Sequence, residues 1–188
     1  MNIVLKTASG KCVVRPDTTW ERDGEDLYLP EFVTRVSYTP VLFARVSKPG
    51  RSVEAKFASR YFDGIGFGVL LYPDDLIGGS PEGFAQASCL DHTSFLPFPV
   101  YNTLTLGYED NTFELFKGSE KLFSYSEGTP EMICKAISEL TRLVYIRIGD
   151  IVAIELQERK HLCCNSDGRI TLRSTWCDNE SMKFDIIM

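Results

Sequence analysis

The stretch Gly64-Ile65-Gly66-Phe67-Gly68-Val69-Leu70-Leu71-Tyr72 decides how this chain of 188 residues folds. Its second half is apolar at consecutive positions, which is typical of a strand buried on both faces. Its first half alternates glycine with larger residues, so one face carries no side chains and a backbone, a ring or a ligand can approach it. A phosphate-binding loop would need a helix after its glycines, whereas here a strand follows.

Further strands are predicted on both sides of this stretch. Ser9-Gly10-Lys11 separates two short apolar runs and predicts an N-terminal hairpin. Residues 40–46 form a second apolar run, and residues 101–106 alternate apolar and polar side chains as a half-exposed strand does. Lys117-Gly118 predicts the turn of a hairpin, because glycine accepts a positive φ. Residues 73–83 contain several glycine, proline and aspartate residues, which predicts a surface loop.

One amphipathic helix is predicted from Thr129 onward. Thr129 supplies a hydroxyl N-cap, Pro130 suits the first helical position and Glu131 places a carboxylate in the first turn. The apolar stripe at helical spacing consists of Ile133, Ala136, Ile137, Leu140 and Val144. With one such helix among many strands, a regular alternation of strands and helices is excluded, and the fold class is β-rich α+β.

The composition is that of an acidic globular protein. Lysine and arginine number 20 against 26 aspartate and glutamate residues, so the net charge is −6, and the chain contains no block of basic residues. We therefore expect no nucleic-acid partner. No apolar run approaches the ~20 residues that cross a bilayer, so we expect a cytoplasmic protein without a membrane partner and with six reduced cysteines. The length predicts one domain over residues 1–188.

Two acidic positions are candidates for chemistry. Asp74-Asp75 has the oxygen ligands that Mg²⁺ or Ca²⁺ prefers, but not the spacing of a calcium loop, so solvated loop charges are the alternative. Asp91-His92 could belong to an acid–base pair, because a carboxylate tunes the pKa of a neighbouring histidine. The alternative for Asp91 is a turn or capping residue.

The order of elements resembles the fumarylacetoacetate hydrolase superfamily in its short, single-domain form. Residues 90–99 are similar to its Lys-Ser-Phe-Asp segment and the turn that follows, and the hairpin at 113–123 precedes the helix at the family's distance. Residues 146–152, Ile-Arg-Ile-Gly-Asp-Ile-Val, resemble its Leu-x-x-Gly-Asp-Val-Ile turn. Residues 40–49 and 63–72 add weaker support. The resemblance covers about residues 40–156 and leaves residues 1–39 as a divergent N-terminal hairpin and loop.

The resemblance implies a mixed β-sandwich or roll like that family's C-terminal domain, with one main amphipathic helix. Enzymes of the family bind a divalent cation through two glutamates spaced Glu-x-Glu and a later aspartate. They act on 1,3-dicarbonyl or 2-oxo acids, whose enolates the metal stabilises as a Lewis acid. In this chain the two glutamate positions fall on Gly64 and Gly66, the family's lysine falls on Ser88, and no histidine precedes His92.

These departures lead to a first hypothesis, in which the metal site has been lost and the protein is non-catalytic. Glycine has no side chain with which to bind a cation, so no cofactor is expected. The protein would at most bind a 2-oxo acid, a dicarbonyl compound or a partner in the pocket that the missing ligands leave. The family's habit of dimerising predicts a homodimer.

The second hypothesis is an active divalent-metal-dependent hydrolase, decarboxylase or isomerase with relocated ligands. Mg²⁺ or Mn²⁺ would be held by Asp63, Asp91 and either Asp74 or Asp75. Lys48 or Arg45 would bind the substrate carboxylate, for which the bidentate fork of arginine is well suited. Its candidate catalytic residues are Asp91, Lys48 and Arg45.

Overall fold

The computed structural model of the protein describes residues 1–108 and 111–188, which form two β-sheets and three α-helices. The strands are β1 (Asn2–Lys6), β2 (Cys12–Pro16), β3 (Trp20–Glu21), β4 (Leu27–Tyr28), β5 (Arg35–Val46), β6 (Phe62–Pro73), β7 (Ser94–Phe95), β8 (Phe113–Lys117), β9 (Glu120–Tyr125), β10 (Ile151–Glu155), β11 (Lys160–Cys164), β12 (Arg169–Trp176) and β13 (Asn179–Ile187). The helices are α1 (Asp74–Ile77), α2 (Pro81–Ala87) and α3 (Pro130–Leu140), and short 3-10 segments lie at Asp17–Thr19, Ala55–Arg60, Thr103–Thr105 and Asn165–Asp167. The β-rich α+β class is confirmed.

The larger sheet has the order β2-β1-β10-β5-β6-β7-β3, and the smaller has the order β4-β13-β12-β8-β9. Strands β10 and β11 follow one another along the same edge of β5. The longest ladder joins β5 and β6, which are antiparallel from Val36 opposite Pro73 to Val46 opposite Phe62. Because β1 runs parallel to β10 while its other neighbour is antiparallel, the sheet is mixed. The ladder of β5 and β6 is therefore the centre of the fold.

Both faces of β6 are buried, as its apolar sequence predicts. Its odd-numbered residues face a core that lies between the two sheets and includes the apolar stripe of α3. Phe67 connects the sheets, since its ring stacks on Phe113 and meets Trp176 edge-on, both at 4.9 Å between centroids. Leu70 and Tyr72 face a second core on the opposite side of the larger sheet. Gly64, Gly66 and Gly68 share this second face.

The hairpins and the main helix are confirmed. Strands β1 and β2 pair in antiparallel fashion, and Gly118 has a φ of +57° in the turn between β8 and β9. The Thr129 hydroxyl accepts a hydrogen bond from the amide of Met132 at the start of α3, although Val144 lies beyond the end of the helix. Among the described residues, no helix is both long and apolar enough to cross a bilayer.

Two predictions about local structure are wrong. Residues 101–106 are not a strand: only Tyr101 bridges to Ile65, and a 3-10 turn follows because the Asn102 side chain accepts a hydrogen bond from the amide of Leu104. The predicted loop at 73–83 contains α1 and the first part of α2. The N-cap of α2 is the hydroxyl of Ser80, which accepts from the amide of Gly83, and proline follows it. These are the same start signals as those of α3.

The Gly-Asp turn before β10 is a structural feature of the fold. Asp150 is buried, and its carboxylate accepts hydrogen bonds from the backbone amides of Asn2 and Arg147, both at 2.8 Å. The first of these bonds holds the start of β1 beside β10, and the second closes the turn. The aspartate of this motif therefore joins the N-terminus to the centre of the larger sheet.

Replacing Asp150 with alanine is expected to lower the free energy of unfolding by about 1–3 kcal/mol, because two backbone amides lose a charged acceptor that is itself buried. Urea denaturation of both proteins measures the difference. The exposed Glu158→Ala variant is the control and should lie within about 0.5 kcal/mol of the wild type. An Asp150→Ala protein as stable as this control would contradict the role given to the turn.

Candidate functional site

The two positions that the family resemblance assigns to metal-binding glutamates are covered by apolar side chains. A Cβ atom built on Gly66 would lie 2.5 Å from Cζ and 2.7 Å from Cε1 of Phe43, which is its direct partner on β5. A Cβ atom built on Gly64 would meet the side chain of Val100, whose own Cβ would be 2.9 Å away. Any side chain at either position would displace its neighbour.

The third glycine completes this arrangement. A Cβ atom on Gly68 would collide with the backbone carbonyl of Phe95 in β7. The alternating glycines thus admit a ring and a backbone, as the sequence predicts. A cavity lined in part by Gly66, Phe98 and Trp176 has a volume of only about 90 Å³. That is room for about three water molecules, whereas small-molecule sites usually measure about 300–1,000 Å³. The cavity described beside these glycines is therefore small.

Arg45 and Asp63 are brought together by the ladder of β5 and β6. The guanidinium Nε donates to Oδ1 of Asp63 at 2.8 Å on the surface of the sheet. The cation proposed to bind a substrate is thus already paired with a proposed metal ligand. Lys48 is exposed, and its Nζ lies 5.8 Å from the centre of the Tyr61 ring.

Asp74 and Asp75 lie at the opposite end of the same ladder, where their carboxylates bind residues at the start of β5. Asp74 accepts from the hydroxyl of Ser37 at 2.7 Å, and Asp75 accepts from both the amide and the hydroxyl of Thr34 at 2.7 Å. Although desolvation opposes ionisation, the bonds from Thr34 and Arg35 prevail and lower the pKa of Asp75. Both carboxylates have structural partners.

The structure does not bring the proposed ligands of the relocated metal site together, because β6 holds Asp63 and Asp74 apart. Asp63 and Asp74 are eleven residues apart on or beside one strand, which is about 35 Å of extended chain. Asp91 is exposed. It lies near the C-terminal half of β6, because the amide of Leu71 donates to the carbonyl of Thr93. Two ligands of one ion lie within about 5 Å of each other. Within residues 1–108 and 111–188, no three His, Cys, Asp or Glu residues are grouped to hold a metal.

Sequence reasoning missed a contact between Glu21 and His92. The Glu21 carboxylate is 6% exposed, and its Oε2 lies 3.2 Å from Nδ1 of His92. Glu21 also accepts from the amide of Asp23 at 2.8 Å, and His92 has a φ of +56°. The pair connects the N-terminal loop to the segment before β7. The sequence separation of 71 residues hid it, since the sequence pointed only to Asp91 as a carboxylate next to His92.

A second feature that the sequence did not predict is the complete burial of Arg15 next to the second core. Its Nη2 donates to the hydroxyl of Thr93 at 2.6 Å and to the carbonyl of Leu71 at 3.2 Å, and its guanidinium carbon lies 4.9 Å from the centre of the Tyr72 ring. The Tyr72 hydroxyl donates to Glu155 at 2.7 Å, and burial raises the pKa of Tyr72. Arg15 thus joins β2 to β6 and to the segment before β7.

Solved structures with a similar fold were found by comparison of coordinates. A protein from Yersinia pestis CO92 assigned to the fumarylacetoacetate hydrolase family superposes with a TM-score of 0.80 at 16% identity, over 99% of this chain and 92% of that one. The chain has the fold of the fumarylacetoacetate hydrolase family. Fumarylpyruvate hydrolase from Pseudomonas aeruginosa, solved with Mn²⁺ and pyruvate, has a TM-score of 0.79 at 14% identity, over 100% and 90% of the two chains.

Maleylpyruvate hydrolase from Sphingobium sp. SYK-6 has a TM-score of 0.75 at 14% identity, over 99% of this chain and 70% of that one. Neither a protein-family model nor a curated protein sequence matches the chain. The resemblance drawn from short motifs is therefore confirmed for the fold. At these identities it does not extend to residues of the site.

The residues present do not fit the divalent cation of the family's enzymes. The resemblance implies two carboxylates on one strand, whereas here that strand presents two glycines whose Cβ positions are filled by Phe43 and Val100. The carboxylates nearest in sequence, Asp63 and Asp74, have other partners at opposite ends of the ladder.

The contact between Glu21 and His92 generates a prediction about acid stability. Burial of Glu21 raises its pKa, but the bonds from the Asp23 amide, His92 and the Glu25 amide outweigh burial, so the pKa is lowered. An ionised Glu21 therefore stabilises the fold above its unfolded-state pKa of about 4.3, and this contribution is lost as the pH falls through the lower folded-state value.

Below about pH 4.5, the free energy of unfolding should consequently fall more steeply for the wild type than for Glu21→Gln. Urea denaturation at a series of pH values tests this. Other carboxylates with lowered pKa values, such as Asp75, contribute equally to both proteins, so the difference isolates Glu21. If the free energy of unfolding fell equally with pH in both proteins, the contact between Glu21 and His92 would not contribute to stability.

Proposed function

We propose that this protein is a non-catalytic protein with the fumarylacetoacetate hydrolase fold, which acts by binding a partner rather than by metal-dependent catalysis. The position of the Phe43 ring over Gly66 is the observation that carries the proposal. A carboxylate cannot be restored there without displacing a fully buried aromatic side chain. The chain therefore keeps the scaffold and lacks the ligand set.

The packing around the glycines favours this interpretation over a site that has lost only its ligands. Loss of two glutamates alone would leave a polar, open cleft. Here Phe43 belongs to the second core, together with Val41 and Leu70, and Val100 packs against that core. A buried aromatic side chain contributes to stability through the large apolar area it covers. The apolar side chains over the glycines are part of the second core, so we expect that these positions have been selected for stability rather than for metal binding.

Isothermal titration of the purified protein with Mg²⁺ and with Mn²⁺ is expected to show no binding in the micromolar range. Fumarylpyruvate hydrolase from Pseudomonas aeruginosa, whose crystal structure contains Mn²⁺, serves as the positive control. Assays with oxaloacetate and acylpyruvates should give no turnover above a blank that contains metal alone. Micromolar affinity for either ion, or turnover above the blank, would overturn the proposal.

A double-mutant cycle tests the contact itself. Gly66→Ala should lower the free energy of unfolding by about 1–3 kcal/mol, because the new methyl group overlaps the Phe43 ring. The double variant Gly66→Ala, Phe43→Leu should lose about 1 kcal/mol less free energy of unfolding than the sum of the losses in the two single variants, since leucine leaves room for the new methyl group.

The control cycle pairs Gly66→Ala with Ile170→Val in the other sheet, and it should be additive within about 0.5 kcal/mol. Urea denaturation supplies all of these values. Additivity in the Phe43 cycle would mean that the ring does not fill the space over the glycine.

A further inference from the structure

A cleft of about 490 Å³ opens where Val13 and Phe84 pack against the second core. Its volume lies within the range of about 300–1,000 Å³ that is usual for small-molecule sites. Three segments that are distant in sequence line it: the turn between β1 and β2, the first part of α2 and the segment after β10. Val13, Pro81 and Phe84 give the cleft apolar surface, and Lys11 and Arg159 give it two cations.

The turn between β1 and β2 is held in place by its own hydrogen bonds. The amide of Lys11 donates to the Thr7 hydroxyl at 2.9 Å, and the amide of Gly10 donates to the Thr7 carbonyl at 2.8 Å. The amide of Ala8 donates to Oε2 of Glu155 at 2.8 Å, which joins the turn to the end of β10. This wall of the cleft is therefore formed before any ligand binds, and binding does not have to order it.

A second wall is formed by α2, which places Phe84 at the cleft. Gly83 lets α2 pack closely on α1, since a Cβ atom there would collide with the carbonyl of Ile77. The Phe84 ring stacks on the buried ring of Tyr72 at 5.6 Å between centroids, with 20° between the planes. Because Phe84 is only half-buried, a flat apolar molecule can stack on the same side chain.

Arg159 packs against this aromatic pair. Its guanidinium carbon lies 5.2 Å from the centre of the Phe84 ring and 5.4 Å from the centre of the Tyr72 ring. Among the residues that the structure describes, no carboxylate forms an ion pair with Arg159 or with Lys11. The cation–π contacts orient the guanidinium, and its parallel N–H donors match the two oxygens of a carboxylate.

Glu155 also borders the cleft, but the fold uses both of its oxygens. Oε1 accepts from the Tyr72 hydroxyl at 2.7 Å, and Oε2 accepts from the amide of Ala8. Its charge is balanced by the buried Arg15, whose guanidinium carbon lies 4.9 Å from the centre of the same tyrosine ring. Glu155 therefore leaves the charge of Arg159 uncompensated.

The charges that remain at the cleft favour an anion. Arg159 and Lys11 are positive and the exposed Glu158 is negative, so their sum is +1. The two cations come from neighbouring strands, because Lys11 lies in the turn after β1, and β1 pairs with β10. Both attract an anionic group placed in the cleft, whereas a cationic group would be repelled by both.

We propose that this cleft binds a small organic anion with a flat apolar body, such as an aromatic carboxylate. The carboxylate accepts hydrogen bonds from Arg159, Lys11 supplies a second positive charge, and the flat body stacks on Phe84. The proposal goes beyond the function proposed above and does not depend on the loss of the metal. Tyr72 lies six residues beyond Gly66 on β6, about 20 Å along the strand, so binding of this ligand and of a metal ion are separate results.

Titration of the ¹⁵N-labelled protein with 2-naphthoate, followed by two-dimensional NMR, tests the proposal. We expect saturable shifts of the amide signals of Ala8, Ser9, Phe84 and Arg159, and no comparable shift at Gly66. The neutral compound 2-naphthamide has the same ring system without the charge, and it should bind at least about tenfold more weakly.

Substitutions separate the contribution of charge from that of shape. Arg159→Gln should weaken the binding of 2-naphthoate about ten- to a hundredfold, because it removes the cation. Phe84→Leu removes the flat ring and should weaken binding about three- to tenfold. Glu158→Gln removes a negative charge from the cleft and should tighten binding about twofold. The matched control is Arg173→Gln, which changes an arginine 4.0 Å from the centre of the Phe116 ring and should leave the affinity unchanged.

Arg159 and Glu158 are exposed, so we expect their variants to fold, and the NMR spectrum of each variant checks this. If Phe84→Leu does not fold, the two charge variants still decide. The proposal would be overturned by a lack of saturable shifts at the cleft, by equal binding of 2-naphthoate and 2-naphthamide, or by an unchanged affinity in Arg159→Gln. Shifts centred on Gly66 and Phe98 would place the ligand against the glycines and would also overturn it.

Discussion

The contact between the Phe43 ring and the bare backbone of Gly66 is the constraint on which the rest of the structure depends. It lies within the ladder of β5 and β6, the two longest strands, and Phe43 belongs to the second core. The ring can approach β6 this closely only because glycine has no Cβ atom. We propose that the same contact occupies the space that a divalent cation would need.

The remaining functional features lie outside that centre. Arg45 and Asp63 pair with each other at one end of the ladder, while Asp74 and Asp75 organise the start of β5 at the other. These polar groups fulfil structural roles. In the function proposed above, this scaffold acts by binding a partner rather than by metal-dependent catalysis.

Much of the fold could be predicted from local signals. The strand at β6 followed from its run of apolar residues, and α3 followed from its cap, its proline and its stripe. The glycine positions also indicated a close approach, but not what approaches, because the partner Phe43 is set by the register between strands. The contact of Glu21 with His92 and the burial of Arg15 were invisible for the same reason, since both join segments that are distant in sequence. The ligands of the relocated metal site share a residue type but not a place in the fold, since a twelve-residue strand keeps Asp63 and Asp74 apart.

We propose that apolar packing occupies the place of the family's metal. A crystal structure of the protein grown in Mn²⁺, with anomalous diffraction data collected near the manganese edge, is the sharpest test. We expect the Phe43 ring in van der Waals contact with Gly66 and no anomalous peak beside β6. A peak within coordination distance of oxygen ligands near Gly64 and Gly66, with the ring moved aside, would contradict it.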